Sequence, residues 1–130
     1  MTPFGQKIRD LRTERGLTLK DMAAALRITP AYLSALEHGR RGRPSWRLVQ
    51  AIIGYFNVIW DEAEEIERLA RLSHPRIVID TSGLDPRATE LANRLAEGIA
   101  HLTSAEIARL LEALPEKTRR KPPQQVKKTR

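Results

Sequence analysis

Apolar residues in the first half of the chain recur at three- and four-residue intervals, the spacing that lines one face of a helix, and stop signals break the pattern into five segments. Phe4, Ile8 and Leu11 form the first stripe, opened by Thr2 as a cap with Pro3 at the first helical position and closed by Gly16. Thr18 opens a second helix with Asp21 as its capping-box partner, and Met22 and Leu26 face inward. After a very short connector Thr29 caps a third, with Pro30 in its first turn, Leu33 and Leu36 as its buried stripe and Gly39 as a left-handed terminator. Ser45 opens a fourth carrying Val49, Ile52, Ile53 and Phe56. A fifth runs from about Asp61 to Leu72 with Ile66, Leu69 and Leu72 apolar, and His74-Pro75 closes the set.

The texture then changes. Arg76-Ile77-Val78-Ile79-Asp80 is a β-branched run that predicts one short strand, and Thr81-Ser82-Gly83 is turn material. Asp85-Pro86 opens a helix with Leu91, Leu95 and Ile99 on one face, and Thr103 or Ser104 opens a last one through Ile107, Leu110, Leu111 and Leu114, stopped by Pro115. Residues 115–130 carry seven Lys/Arg and little that is apolar besides Val126, so a disordered basic tail is expected. The pattern thus predicts an all-α chain: a five-helix domain over 1–74, a strand plus two helices over 75–114, and a tail over 115–130. A lone strand is unstable without a partner, so 76–80 is expected to pair with its copy across a two-fold axis while the two helices bury their stripes against the same copy. Residues 75–114 then form a dimerisation segment; the alternative is that these helices fold back on the first domain.

Composition narrows the class. At 130 residues the chain has room for one modest core with a short appended module. With no cysteine, disulfides and thiolate metal sites are excluded. The opening Met-Thr-Pro-Phe-Gly-Gln-Lys lacks the apolar core of a signal peptide and no stretch is long and apolar enough for a membrane span, so a cytoplasmic, nucleoid-associated protein is expected. Residues 1–58 hold ten Lys/Arg against four Asp/Glu, residues 59–114 six against eleven, and residues 115–130 seven against one, within a net charge of +7. Two basic ends flank an acidic middle, the distribution expected if the ends meet a polyanion and the middle meets protein.

Other clusters read as structure. The run Asp61, Glu62, Glu64, Glu65 and Glu67 suits a helix N-terminus, where the dipole favours carboxylates. Trp46, Phe56 and Trp60 are expected in a core or an interface. His38, His74 and His101 share no metal-ligand spacing and no nucleophile accompanies them, so no enzyme, metal or cofactor is expected.

Two short helices joined by a tight turn can hold the second outward, where its N-terminal half enters a DNA major groove about 12 Å wide. Here the second of such a pair is Thr29–His38. In Ile8-Arg9-Asp10-Leu11-Arg12, Arg15-Gly16-Leu17-Thr18, Met22-Ala23, Thr29-Pro30-Ala31-Tyr32-Leu33-Ser34, Leu36-Glu37-His38-Gly39-Arg40 and Pro44-Ser45 the chain resembles the lambda-repressor-like family of helix-turn-helix domains, also called the Cro or XRE type. The resemblance spans about residues 4–72. It implies a sequence-specific transcriptional regulator, a repressor on a palindromic operator, acting as a homodimer on double-stranded DNA. It places Thr29, Pro30, Ala31, Tyr32, Ser34, Ala35 and His38 on the groove-facing recognition helix. Thr18 and Lys20 at the second helix, Arg27 in the turn, and Arg40, Arg41, Arg43 and Ser45 around the following loop would grip phosphates. Arg12 and Glu37 match positions that often form an internal ion pair, so Arg12 is assigned to structure. An antitoxin that also represses its own operon and blocks a protein partner, or a protein-interaction adaptor, is the alternative.

Two residues depart from the family pattern. Leu19 stands where glutamine is usual and cannot hydrogen-bond a phosphate. Arg27 stands where the turn usually has glycine, at a cost on the order of 1 kcal/mol if the left-handed conformation is kept.

Overall fold

Every predicted helix start but that of the fifth, where Ile59 caps without a side-chain bond, is built on a side chain that accepts a bond from an otherwise orphaned N–H. In the computed structural model, which describes residues 1–40 and 42–114, the described residues form seven α-helices: α1 Pro3–Glu14, α2 Leu19–Leu26, α3 Pro30–Glu37, α4 Trp46–Phe56, α5 Trp60–Arg71, α6 Pro86–Gly98 and α7 Ser104–Ala113. Thr2 Oγ1 accepts from Gly5 N at 2.9 Å, Thr29 Oγ1 from Tyr32 N at 3.0 Å and Ser45 Oγ from Leu48 N at 3.2 Å. Thr18 with Asp21, and Thr103 with Glu106, close reciprocal capping boxes. Asp85 caps α6 through Arg87 N at 2.8 Å.

The chain divides into two units, Met1–Val78 and a second beginning at Ile79. In the first, Phe4, Ile8, Leu11, Met22, Leu33, Val49, Ile52, Phe56 and Ile66 are all buried in one core. Helix α1 packs on α3 and α5, α2 on α3 and α4, and α4 on α5. Two features lock α1 into place. Gly5 lies so close to α3 that a Cβ there would sit 1.9 Å from the Glu37 carbonyl oxygen. Buried Ser73, just past α5, accepts from Phe4 N at 2.9 Å and donates to the Leu69 carbonyl, so one hydroxyl ties the end of α5 to the start of α1.

Arg15 adds a third tie. Its guanidinium donates to the Phe56 carbonyl at the end of α4 and lies 5.3 Å from the centre of the Phe56 ring. A cation is favoured at that helix end by the exposed carbonyls and at that ring by its negative face.

The structure corrects two sequence expectations and removes the core half of a third. No strand forms at 76–80 among the described residues; Ile77, Val78 and Ile79 are exposed and run without a ladder partner, because the chain offers no second β-branched run to pair with. Trp46 and Trp60 do not join Phe56 in the core: they occupy the first position of α4 and α5, ahead of the buried stripes, and remain 67% and 79% exposed. Leu72, expected on the apolar face of the fifth helix, lies just beyond α5 as its C-terminal cap and is exposed.

The second unit consists of α6, a single 3-10 turn over Ile99–His101, and α7. Neither helix has a buried residue; Leu91, Ile99, Ile107, Leu110, Leu111 and Leu114 are exposed. No helix among the described residues is long and apolar enough to cross a membrane. The expected tail over 115–130 lies outside the described residues.

Candidate nucleic-acid interface

The pair α2 and α3 is joined by Arg27, Ile28 and Thr29. Arg27 has φ 61° and ψ 41°, the left-handed region, and Ile28 N donates to Ala23 O at 3.0 Å, so the tight turn is kept with arginine in the glycine position. Thr29 returns to extended backbone and caps α3, whose first residue Pro30 needs no donor.

Leu33, Leu36 and Glu37 bury one side of α3. Helical spacing puts Ala31, Ala35 and His38 along the opposite line, flanked by Tyr32 and Ser34. Of these predicted recognition residues, Thr29, Pro30, Ala31 and His38 are exposed, and Tyr32, Ser34 and Ala35 are half-buried. His38 Nδ1 lies 2.9 Å from the Ser34 carbonyl oxygen. A carbonyl only accepts, so Nδ1 carries the proton and Nε2 is left as the functional edge of the ring.

Glu37 is the one buried carboxylate of this segment. Arg12 meets it from α1 with three N–O distances of 3.2 Å, and Arg12 Nη1 also reaches Leu17 O at 3.4 Å. The Glu37 carbonyl accepts from Thr2 N at 3.2 Å. The fork-on-carboxylate pair neutralises a charge that would repel a phosphate and fixes α3 against α1, as the sequence resemblance implied for these two residues.

At the start of α2, Thr18 and Lys20 are exposed. Thr18 Oγ1 accepts from Asp21 N at 3.0 Å, and Thr18 N donates to the Asp21 carboxylate at 3.1 Å. Thr18 holds the Asp21 carboxyl below its ordinary value, through its backbone N–H first and its hydroxyl second.

After α3 the chain turns at Gly39, φ 82°, into the basic loop. Arg40, Arg43 and Ser45 are exposed around buried Pro44; Arg41 lies outside the described residues. Among the described residues, Lys20, Arg27, Arg40 and Arg43 have no carboxylate in ion-pair range, in contrast to Arg12 and Arg68. One neighbour of this loop is absent from the sequence reading: a Cβ on Gly42 would meet His74 Nε2 at 3.7 Å, and one on Gly39 would meet Pro75 at 3.9 Å. The juxtaposition is tertiary, and no local signal in the sequence announces it.

The comparisons fit this geometry. A family model described as a helix-turn-helix domain matches residues 3–74. The HTH-type transcriptional regulator DdrOP3 of Deinococcus deserti is 41% identical over 63 residues, 48% of this chain and 48% of its own. The uncharacterized HTH-type transcriptional regulator RghRB of Bacillus subtilis is 34% identical over 61 residues, 47% of this chain and 44% of its own. The chain therefore spans about half the length of the curated relatives it matches. A solved SinR protein/SinI protein complex aligns at 21% identity over 89% of this chain and 96% of that chain, with a TM-score of 0.42. With the model covering the five helices of the first unit and both relatives carrying the same motif, the chain belongs to the Cro/XRE-like helix-turn-helix family.

Proposed function

We propose that this protein is a sequence-specific DNA-binding transcriptional regulator, a repressor that grips a palindromic operator as a dimer. The observation that carries the reading is the Arg12–Glu37 pair: it holds α3 against α1 so that the opposite face, Ala31, Ala35 and His38, points away from the core, next to a loop in which Arg40 and Arg43 have no carboxylate partner among the described residues. In this reading α3 enters the major groove. Ala31 and Ala35 present methyl groups suited to thymine methyls, Tyr32, Ser34 and His38 Nε2 offer polar contacts, and Thr29 and Pro30 set the helix's approach. Thr18, Lys20, Arg27, Arg40, Arg41, Arg43 and Ser45 hold phosphates and fix the register. Because α3 has no Arg, Asn or Gln for bidentate base readout, much of the discrimination falls to duplex shape.

Dimerisation through residues 75–114 is supported by the exposed aliphatic stripes of α6 and α7, which have no buried residue of their own. A second copy covering them would set two recognition helices about 34 Å apart, one duplex turn. The test is selection of bound fragments from a random duplex pool. Paired half-sites at one-turn spacing are the expected enrichment. Equal, weak retention of every duplex at low salt rejects the reading.

A further inference from the structure

The segment that leaves α5 lies beside the basic loop, and its own chemistry matches that of the loop. Pro75 is the neighbour of Gly39 and His74 the neighbour of Gly42, at 3.9 Å and 3.7 Å from the positions their Cβ atoms would take. The ring of His74 is oriented by one bond: Arg76 N donates to His74 Nδ1 at 3.1 Å. An amide N–H only donates, so Nδ1 is the acceptor and the ring proton sits on Nε2, the atom that faces the loop. This is the reverse of His38, whose Nδ1 donates. The bond also curls the chain so that Arg76 follows the ring by two residues, exposed and with no carboxylate partner among the described residues. Ser73, buried and bonded to Phe4 N at 2.9 Å, anchors the segment's other end to the core. An Nε2–H donor and a guanidinium are therefore carried on a short, anchored segment at the flank of Arg40 and Arg43.

We infer that His74 and Arg76 form a second phosphate clamp, which receives the duplex backbone from the linker side while Arg43 receives it from the loop. The inference rests on the proposed DNA-binding reading and extends it past residue 74, where the helix-turn-helix match ends. The clamp recognises phosphate and not sequence, so it adds affinity equally to every duplex the protein binds. It also ties the start of the linker to the DNA, at the place where the chain passes toward the second unit.

The test compares the full chain with Arg76→Gln, Arg76→Lys, His74→Phe and Arg43→Gln, measuring affinity for a mixed-sequence duplex of about three helical turns across a salt series. Arg76→Gln is expected to reduce the slope of log affinity against log salt by about 0.9, Arg76→Lys to keep it, and Arg43→Gln to reduce it by a similar amount. His74→Phe is expected to weaken binding several-fold with the melting temperature unchanged, since the ring is exposed. If Arg43→Gln lowers the slope and Arg76→Gln leaves it at the parent value, the clamp is refuted while the DNA-binding reading stands. A parent chain with no measurable duplex affinity at low salt refutes both.

Discussion

Gly5 and Glu37 touch backbone to backbone: a methyl group on Gly5 would overlap the Glu37 carbonyl oxygen at 1.9 Å and its carbonyl carbon at 2.6 Å. Neither is the far end of a flexible side chain, so α1 and α3 would have to separate, and with them the Arg12–Glu37 pair. Gly5→Ala is expected to cost about 3 kcal/mol, a drop of roughly 10–20 °C in melting temperature for a domain of this size, and to weaken duplex binding in parallel. Circular dichroism melts check it. A variant as stable as the parent would mean that the two helices are not in this contact.

The ion pair beneath that contact makes a separate prediction. Arg12 and Glu37 side chains are 12% and 3% exposed, so removing the arginine strands a carboxylate in the core. Arg12→Ala is expected to cost about 3–5 kcal/mol in urea unfolding. The double variant Arg12→Met with Glu37→Met should recover most of that, because two apolar side chains leave no charge without a partner. If the double variant is no more stable than the single one, the pair matters through packing and not through charge.

Arg27 separates stability from binding. Its left-handed backbone costs an arginine on the order of 1 kcal/mol that glycine avoids. Arg27→Gly should therefore raise the unfolding free energy by about that amount and, if the guanidinium holds a phosphate, lower the salt slope of duplex binding by about 0.9. A more stable variant with an unchanged slope would remove Arg27 from the interface and leave it as a strained turn residue.

The positions of these features explain how much could be read from sequence. Caps at Thr2, Thr18, Thr29, Ser45, Asp85 and Thr103 were legible because a cap is a bond to a backbone group two or three residues away. The Arg12–Glu37 pair was reached only through family resemblance, since nothing in its spacing of 25 residues marks it. Gly5 against Glu37, Ser73 against Phe4 and His74 against Gly42 were not read at all. Each is a contact between segments that only the folded chain brings together. Trp46 and Trp60 stand outside the core because aromatic residues beside an apolar stripe share its composition without sharing its face.

The α2 capping box sets a pH dependence. Asp21 titrates below its ordinary value of 3.8 because Thr18 donates to its ionised form, so folding favours the carboxylate. The depressed value means that the stabilisation is complete above the unfolded carboxyl's range and disappears as pH falls through the folded one. Asp21→Asn should thus melt below the parent near neutral pH, and the two curves should converge in acid. A difference that stays constant to the lowest pH at which both still fold would show that the side chain acts there by something other than its charge.

Where the buried residues stop predicts where the chain can be cut. Every buried side chain among the described residues lies between Phe4 and Ser73, and α6 and α7 contribute none. A chain ending at Val78, the last residue of the first unit, should keep the whole core and melt as cooperatively as the parent. What it loses are the aliphatic stripes of Leu91, Ile99, Leu110 and Leu111, which in the proposed function are covered by a second copy. Sedimentation at micromolar concentration should give a dimer for the full chain and a monomer for the shortened one. On a duplex with two half-sites, the shortened chain should bind each half-site independently and more weakly, since the second contact is no longer intramolecular. Equal masses for the two chains would place the dimer interface, if there is one, on the first unit; a shortened chain that melts without cooperativity would mean that the core described above depends on residues beyond it.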